Sequence, residues 1–317
     1  MFNKYNSNCF NESFPKNITV PEGISDRLDK ILSYLMPDYS RERIKQWIKN
    51  NHVLVNGKLV KIRHNVQPGD LITVWVQPTL ESLSFSPENI IFEVIDESSD
   101  WIVINKPAGL VTHPGSGNWK GTLLNGLLYK YPELFYVPRA GIVHRLDKNT
   151  SGVMVVARTI ESQLYFVRQL QLRNISREYL AIVHGHISTS STINKPIGRD
   201  ANNPIKMGVK NIIAPKEAIT HFKPIVKGIT TNGHNITQVA CKLETGRTHQ
   251  IRVHLSSIGN PILGDSIYNS NYIIEGNRHM LHSRFLNFTN IKGISCKFNC
   301  RIPEDMTKVI DSMRWFE

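Results

Sequence analysis

The stretch Gly141-Ile142-Val143-His144-Arg145-Leu146-Asp147-Lys148-Asn149-Thr150-Ser151-Gly152 leads directly into an apolar run at residues 153–157. An apolar run of this length after a polar loop predicts a buried strand. Asp147 therefore stands at the entrance of that strand, among three basic side chains of the same stretch. Cationic neighbours keep a carboxylate charged, and a charged carboxylate can act as a nucleophile or base. The alternative is a turn aspartate that accepts backbone hydrogen bonds, which on local grounds is the more common case.

Tyr179 lies in the segment 177–183, which is apolar apart from its first residues. Side chains alternate between the two faces of a strand, so a strand here places Tyr179 on one face with Ala181 and Val183. A tyrosine in a strand is most often a core residue whose hydroxyl finds a hydrogen-bond partner. The functional alternative is a ring that stacks on a nucleic-acid base.

Arg252 lies in the segment 243–255. If this segment opens a helix, the spacing of three and four residues places Arg252 and Leu255 near one face with Thr248. A guanidinium on a core-facing side needs a carboxylate partner, and Asp147 is our candidate. An arginine that binds phosphate or faces solvent is the alternative.

Around these segments, the apolar patterns predict many strands and few helices. The predicted strands cover residues 91–95, 101–105, 152–157, 178–184, 217–226, 236–244, 279–288 and 294–301. The predicted helices cover residues 121–130, 159–173, 247–258 and 303–314. Because strands outnumber helices and do not alternate strictly with them, we expect an α+β fold with a largely antiparallel sheet.

The N-terminal residues predict a separate, smaller unit. The predicted division is a flexible tail over residues 1–20, a small domain over 21–77, a linker rich in Pro and Ser over 78–90, and a large domain over 91–317. In the small domain, Ser25 and Ser40 are candidate caps for two helices. Asn56 and Gly57 stand between apolar runs, which predicts a tight hairpin turn.

The charge balance favours a polyanionic partner. Lys and Arg number 38 against 26 for Asp and Glu, which gives a formal net charge of +12. Basic side chains that neutralise phosphates release counterions, so nucleic acid is the natural partner, although a merely basic soluble protein is the alternative. The second predicted helix carries four basic residues on its outer face. They are Arg41, Arg43, Lys45 and Lys49. A charge run is usually solvated, but charges of a single sign equally suit phosphate contact.

Several classes of site and location are excluded by the composition. The four cysteines form no paired C-x-x-C motif, so we expect reduced thiols and neither a zinc site nor disulfides. The N-terminal residues lack the apolar run of a signal peptide. No stretch has the roughly 20 apolar residues of a membrane span. We therefore expect a cytoplasmic protein without a membrane partner.

A series of short motifs runs through the small domain. They are Arg27-Leu28-Asp29, Ser40-Arg41, Val53-Leu54-Val55-Asn56-Gly57 and Pro68-Gly69-Asp70. Together they resemble an S4 RNA-binding domain over residues 24–77. That family uses its two helices to hold structured RNA, so the resemblance gives the basic outer face a function.

The large domain carries three motifs in order, with two further segments. The motifs are Asn105-Lys106-Pro107-Ala108-Gly109-Leu110-Val111-Thr112-His113-Pro114-Gly115, Arg145-Leu146-Asp147, and residues 246–254 continued by Pro261-Ile262-Leu263-Gly264-Asp265. They resemble the RluA-type pseudouridine synthases. The further segments are Val137-Pro138-Arg139-Ala140-Gly141 and Ile302-Pro303-Glu304-Asp305-Met306, and they are similar to the RluD branch. The resemblance covers residues 20–317 and implies a catalytic domain with a mixed, largely antiparallel sheet flanked by helices.

The resemblance also implies residue roles. Asp147 matches the catalytic aspartate, and Arg252 matches the basic residue that pairs with it. Tyr179 matches the active-site tyrosine, proposed to stack on the target base and to help remove the C5 proton. Arg145 matches the arginine thought to fill the gap left by the flipped nucleotide. The residues that we expect to bind RNA are Arg145, Arg41, Arg43, Lys45, Lys49, Arg247 and His249.

The implied reaction is the isomerisation of specific uridines in 23S ribosomal RNA to pseudouridine. Because no atoms are gained, no cofactor and no metal are expected. The expected target is a stem-loop of the large subunit at the subunit interface, and the expected protein is a monomer whose partner is ribosomal RNA. The alternatives are a related synthase for another ribosomal or transfer RNA uridine, and a ribosome-assembly factor that only binds RNA. A pure binder would need neither Asp147, Tyr179 nor Arg252.

Overall fold

The computed structural model describes residues 15–77, 84–115, 117–268 and 278–316. The chain divides into two compact units, residues 1–80 and residues 81–317. This division falls within the predicted linker at 78–90, of which residues 78–83 lie outside the described residues. Cys9 and most of the predicted tail also lie outside them.

The small unit combines two helices with short antiparallel strands. The helices are α1 (Leu28–Leu35) and α2 (Arg41–Lys49). The strands are β1 (Lys16–Thr19), β2 (Asp26–Arg27), β3 (Val53–Val55), β4 (Lys58–Leu59), β5 (Asn65–Val66) and β6 (Leu71–Val74). The main sheet has the order β1-β6-β3-β4, and β2 pairs with β5. Leu28 and Leu32 of α1 pack with Ile44 and Trp47 of α2 in the core, as helical spacing of apolar residues requires.

The predicted start of α2 is confirmed, whereas the predicted start of α1 is wrong. The Ser40 hydroxyl accepts a hydrogen bond from the backbone N–H of Arg43 at 3.4 Å. Ser25 instead donates its hydroxyl hydrogen to Gln67 Oε1 at 3.1 Å. Helix α1 begins only at Leu28, because the two residues before it pair with β5.

The predicted tail is wrong for its last residues. Lys16–Thr19 form β1, which pairs with β6 along its whole length. This mostly polar segment contains two apolar residues that the core uses. Val20 is buried in the core of the small unit, and Ile18 packs against that core. The predicted hairpin turn is confirmed, since Asn56 and Gly57 have φ values of 51° and 75°, as a tight primed turn requires.

Within the described residues of the large unit, ten strands form one sheet. The strands of this unit are β7 (Glu93–Glu97), β8 (Trp101–Lys106), β9 (Ser151–Ala157), β10 (Ser176–His184), β11 (Ser191–Asn194), β12 (Ile197–Asp200), β13 (Met207–Gly208), β14 (Ile212–Lys216), β15 (Ile219–Ile229), β16 (Asn235–Leu243), β17 (Leu281–Thr289), β18 (Ser295–Asn299) and β19 (Arg314–Trp315). The sheet order is β11-β15-β16-β10-β17-β9-β8-β7, with β18 beside β17 and β19 beside β15. Strands β9 and β17 are parallel and the other pairs are antiparallel, which confirms the expected α+β class.

Helices cover both faces of this sheet. They are α3 (Leu123–Lys130), α4 (Ile160–Gln171), α5 (Gln250–Ser256) and α6 (Glu304–Ser312), with 3-10 turns at Pro132–Tyr136 and Pro138–Gly141. Alternation along β8 sends Ile102 and Ile104 to the core under α3, and Trp101 and Val103 to the core that contains Phe166 of α4. In the described part of the chain, no helix is long and apolar enough to span a membrane.

The elements that sequence patterns missed are short. The separate three-stranded sheet β13-β12-β14, together with β11 and β19, was not predicted. These strands have two to five residues, too few for alternation to stand out. Helix α5 begins at Gln250, not at residue 247, so the expected helical face shared by Thr248 and Arg252 is wrong.

Candidate active site

Asp147 lies in the loop that leads into β9, and hydrogen bonds fix this loop. The Thr112 hydroxyl donates to the carbonyl of Leu146 at 2.7 Å. The backbone N–H of Thr150 donates to the carbonyl of Asp147 at 3.1 Å. The Asp147 backbone thus forms a turn, as one interpretation of the sequence expected, but its carboxylate pairs with Arg252.

Lys106, at the end of β8, also holds this loop through hydrogen bonds. Its buried ammonium donates to the carbonyls of Pro107, Leu110 and Lys148 at 2.9, 2.8 and 3.2 Å. Burial lowers the pKa of Lys106 to about 7, while the charge of Asp147 acts in the opposite direction. Three carbonyls replace the water that an ammonium group loses on burial, so Lys106 connects the first sequence motif to the second.

Gly152 allows β9 to run beside β17 just after the Asp147 loop. Its φ is +118°, and a Cβ atom there would lie 2.1 Å from the carbonyl oxygen of Ser283. Any side chain would force the two strands apart. The parallel pairing of Ser151 with His282 and of Gly152 with Ser283 therefore depends on this glycine.

Arg252, on α5, lies between two carboxylates. Its Nε and Nη2 donate to Asp265 at 2.7 and 2.9 Å, and its Nη1 donates to Oδ2 of Asp147 at 3.1 Å. The exposed fractions are 5% for the Arg252 side chain, 0% for Asp265 and 16% for Asp147. The bidentate fork from Asp265 fixes the guanidinium and leaves one nitrogen for Asp147. The expected contact between Arg252 and Asp147 is present.

The charges within this triad support each other. Burial opposes the charge of Arg252, but the hydrogen bonds and charges of Asp265 and Asp147 outweigh it and raise the pKa of Arg252. Burial also favours a neutral Asp265, but the guanidinium prevails and lowers the pKa of Asp265. Asp265 ends the third sequence motif, but the sequence predicted no role for it. The available signal was an acidic residue at the end of the apolar run that begins at Pro261.

His249 lies beside the Asp147 carboxylate. Its Nε2 is 3.9 Å from Oδ2 of Asp147, and its Nδ1 is 2.8 Å from the hydroxyl of Tyr268. It has a left-handed φ of 56° immediately before α5, which is uncommon for a residue other than glycine. Burial lowers the pKa of His249. His249 is partly buried at the cavity described below, and its expected contact with RNA stays a prediction.

His144 is not the cationic neighbour that the sequence suggested. Its Nε2 accepts a hydrogen bond from the backbone N–H of Val155 at 3.1 Å, so this nitrogen carries no proton. Burial lowers the pKa of His144 to about 3. Arg145, by contrast, is exposed at the cavity described below. The expectation for His144 is therefore wrong, because burial keeps it neutral.

Arg278 supports the loop from the other side. It donates to the carbonyl of Asn149 at 3.0 Å and to the Ser151 hydroxyl at 3.2 Å, and it pairs with Asp305 at 2.6 Å. The Ser151 hydroxyl also lies 2.9 Å from Nδ1 of His282. In the sequence, the segment containing Asp305 indicated only the resemblance to the RluD branch. These bonds give it a positioning role that the sequence alone did not suggest.

Tyr179 and Asp147 line one cavity of about 580 Å³. Tyr179 lies on β10 and is buried, and burial raises the pKa of Tyr179 while the charge of Arg177 lowers it. Arginines surround the cavity. They are Arg139, Arg145, Arg173, Arg177, Arg247 and Arg252. A concave site with an aromatic ring, a carboxylate and basic walls suits one nucleotide extruded from an RNA chain.

No metal site accompanies this cavity in the described residues. Cys241, Cys296 and Cys300 are free thiols, and no group of three His, Cys, Asp or Glu side chains there could hold a metal ion. Cys296, Phe298 and Cys300 instead contribute to the core beneath α4.

Comparison with known proteins identifies the family of this chain. Residues 100–257 match the RNA pseudouridylate synthase family, and residues 26–72 match the S4 domain. The ribosomal large subunit pseudouridine synthase D of Neisseria meningitidis serogroup B is 43% identical over 310 residues, which cover 94% of this chain and 81% of that protein. The protein of the same name from Salmonella typhimurium is 41% identical over 312 residues, 93% of each chain. This chain belongs to the RNA pseudouridine synthase family.

Solved structures agree with the fold of this synthase. Human RNA Pseudouridylate Synthase Domain Containing 1 superposes with a TM-score of 0.59 at 24% identity, over 76% of this chain and 91% of that one. Human RNA Pseudouridylate Synthase Domain Containing 4 superposes with a TM-score of 0.54 at 22% identity, over 71% of this chain and 94% of that one. The resemblance to the RluA-type synthases and their RluD branch is thus confirmed at the level of family and fold.

The basic residues of the S4 domain differ in their surroundings. Arg41 donates two hydrogen bonds to the buried carboxylate of Asp29, at 2.9 and 2.6 Å. The guanidinium of Arg43 lies 5.1 Å from the centroid of the Tyr39 ring. Lys45 pairs with a neighbouring glutamate at 3.2 Å, whereas Lys49 is exposed at the end of α2. Part of the expected phosphate-binding face of this synthase therefore already has partners within the domain.

Proposed function

We propose that this synthase converts specific uridines of large-subunit ribosomal RNA to pseudouridine, with Asp147 as the catalytic carboxylate. The observation that carries the proposal is the fixed carboxylate of Asp147, held by Arg252 at a basic cavity that Tyr179 lines. The substrate class follows the names of the relatives, which are ribosomal large subunit pseudouridine synthases.

Asp147 can serve either of two routes. It can attack C1′ of the target nucleotide, or it can remove the C2′ proton to give a glycal. Both routes break the N1–C1′ bond and end with C5 joined to C1′. Both need an ionised carboxylate in a fixed orientation, and the hydrogen bond from the guanidinium of Arg252 orients the carboxylate of Asp147.

Tyr179 has the complementary role at the base. A detached uracil must stay in the cavity while it turns, and an aromatic side chain provides a surface for stacking. The buried ring of Tyr179 on β10 lines the cavity with Asp147, which supports this role. We propose that it also helps to remove the C5 proton.

Basic residues offset the cost of extracting the nucleotide. Flipping a base out of its stack costs a few kcal/mol. Arg145, which is exposed at the cavity, is proposed to fill the gap that the base leaves. The other proposed RNA contacts are Arg247 and His249 at the cavity and Arg41, Arg43, Lys45 and Lys49 on the S4 domain.

The proposed target is a uridine-bearing stem-loop of the large subunit at the subunit interface, modified in the cytoplasm by a monomeric enzyme. The test is a map of pseudouridine in all ribosomal and transfer RNAs, from cells with the gene, without it, and with an Asp147→Asn copy. Pseudouridines should disappear from large-subunit RNA in the second and third strains. An unchanged map would refute the proposal, and a loss confined to another RNA would replace the substrate class.

A further inference from the structure

Arg177 is a buried guanidinium in the active-site cavity without a carboxylate partner in the described part of the chain. It is 6% exposed, and its Nη2 donates to the carbonyl of Glu244 at 3.3 Å. Its buried Nε has no hydrogen-bond partner within the described residues. A guanidinium carries five donors and remains charged, and leaving them unused in a buried site costs free energy. The arrangement therefore points to an anionic group that arrives with the substrate.

Two other arginines of the cavity already have carboxylate partners. Arg252 pairs with Asp265 and Asp147, and Arg173 pairs with glutamates on either side at 2.6 Å each. Arg139 and Arg145 are exposed, so water can satisfy their donors. Arg177 differs from all of these because it is both buried and short of acceptors.

The position of Arg177 directs it towards the base. It precedes Tyr179 by two residues on β10, and the regular pairing with β16 places the two side chains on one face of the strand. Both line the cavity with Asp147. Gly246 provides the space for the guanidinium, because a Cβ atom on Gly246 would lie 2.8 Å from Nη1 of Arg177.

The reaction creates negative charge on the base by either route. When the N1–C1′ bond breaks, its electron pair goes to N1, and the charge spreads over the ring to O2 and O4. C5 then gives an electron pair to C1′, the C5 proton leaves to a base, and N1 takes up a proton. The base is thus neutral on entry and anionic between these steps. A hydrogen-bond donor that contacts the base only in this anionic state lowers the barrier of the reaction without strengthening substrate binding.

We propose that Arg177 is an additional catalytic residue, whose guanidinium donates hydrogen bonds to the uracil anion released by cleavage of the N1–C1′ bond. This inference rests on the proposed isomerisation and extends it to the leaving group. A phosphate of the bound RNA is the competing anion. It would be recognised equally in the ground state and the transition state, so it predicts a loss of affinity.

The test uses the full chain and an unmodified large-subunit RNA transcript under single-turnover conditions. The variants are Arg177→Met, Arg177→Lys and Gly246→Ala, with Arg301→Met as an exposed control. Loss of one oxyanion donor costs about 10² to 10³-fold in rate, which is the fall expected for Arg177→Met. Gly246→Ala, which displaces the guanidinium but keeps its charge, should lose less, up to about 10²-fold in rate. RNA affinity should stay within about twofold of wild type, since the interaction forms only after binding.

A second measurement separates the leaving group from the proton transfer. With 5-deuterouridine in the transcript, cleavage of the N1–C1′ bond should limit the rate in Arg177→Met, so its isotope effect should be near unity. A primary isotope effect would overturn the inference in favour of an action through Tyr179. Unchanged rates, or a loss confined to affinity, would overturn it as well. An inactive wild-type protein would refute the proposed function and this inference together, whereas an active wild type with unaffected variants refutes this inference alone. Thermal unfolding identifies any variant that does not fold. If Arg177→Met does not fold, the rate and affinity of Gly246→Ala decide the test.

Discussion

Each unit of the molecule contains a triad of charged groups around a buried central ion, and the two central ions have opposite charge. In the small unit, the fully buried carboxylate of Asp29 lies between Arg27 and Arg41, whose side chains are 34% and 43% exposed. Burial opposes the charge of Asp29, but the hydrogen bonds from the two guanidinium groups prevail and lower the pKa of Asp29. The exposed members of this triad are cations.

In the large unit the central group is the guanidinium of Arg252, and the partners are carboxylates. Asp265 is fully buried, while Asp147 keeps 16% of its side chain exposed at the cavity. The buried ion in each triad thus orients a partner of opposite sign towards solvent. Surface cations suit a phosphate chain, and a fixed carboxylate suits chemistry on a sugar.

Removing the central cation should damage the large unit most. Arg252→Met leaves the buried carboxylate of Asp265 unpaired, which costs about 3–5 kcal/mol of unfolding free energy. It should also reduce the single-turnover rate at least about 100-fold, because Asp147 loses its orientation. Urea unfolding and rate measurements check both effects. Arg41→Met, the exposed counterpart, should cost far less stability, and equal losses would contradict the comparison.

Removing the central anion of the small unit should affect stability but not chemistry. Asp29→Asn weakens the charge-assisted hydrogen bonds to Arg27 and Arg41, for an expected loss of about 2 kcal/mol. At saturating RNA, the rate of the chemical step should be unchanged, since Asp147 is untouched. Hydrogen exchange of α1 and single-turnover kinetics measure the two. A slowed chemical step would count against separate roles for the triads.

Acidification should destabilise the large unit, because this unit holds buried neutral histidines. Burial lowers the pKa of His144 to about 3 and those of His184 and His282 to about 4. Below its ordinary pKa of about 6.5, each histidine takes up a proton only in the unfolded chain, so stability falls as the pH falls. Between pH 7 and pH 6 the expected loss is about 0.7 kcal/mol for each. Urea unfolding at both pH values measures the sum, and a pH-independent stability would be inconsistent with these assignments.

The smallest expected effect belongs to a single exposed lysine. Lys49→Gln on α2 should weaken RNA binding a few-fold and reduce the salt dependence of binding by about one phosphate contact. Lys308→Gln on α6 is the matched control, since Lys308 is also exposed but pairs with Glu304. Filter binding over a salt series distinguishes them. Identical slopes for the two variants would remove Lys49 from the proposed RNA interface.

Sequence patterns correctly predicted the elements whose determinants lie within a few residues of one another. Helix α2 has its apolar stripe and its Ser40 cap within a few residues, and the Asn56 turn has its chemistry in the turn itself. The prediction of a flexible tail over residues 1–20 was wrong at its end. Ile18 and Val20 are apolar residues in a polar segment, and their burial depends on a strand distant in sequence, β6. The predicted start of α5 was wrong because His249 has a left-handed backbone conformation, and the helix begins only after it.

The candidate site was predictable mainly by resemblance. Asp147 and Arg252 are 105 residues apart, and no periodicity connects such positions. The family motifs named both residues, but they gave Asp265 and Arg177 no role. Those roles emerge from burial and from the number of hydrogen bonds each group makes, which only the folded chain reveals.

The central claim is that the carboxylate of Asp147, the partly exposed member of the large triad, performs the chemistry. The most direct measurement compares Asp147→Asn with Asp311→Asn, the same change at an exposed position on α6. Single-turnover formation of pseudouridine in large-subunit RNA and the RNA dissociation constant are measured for both. The account predicts a loss of at least about 10³-fold in rate for Asp147→Asn, with affinity within a few-fold of wild type and Asp311→Asn unaffected. Wild-type activity in Asp147→Asn would contradict it.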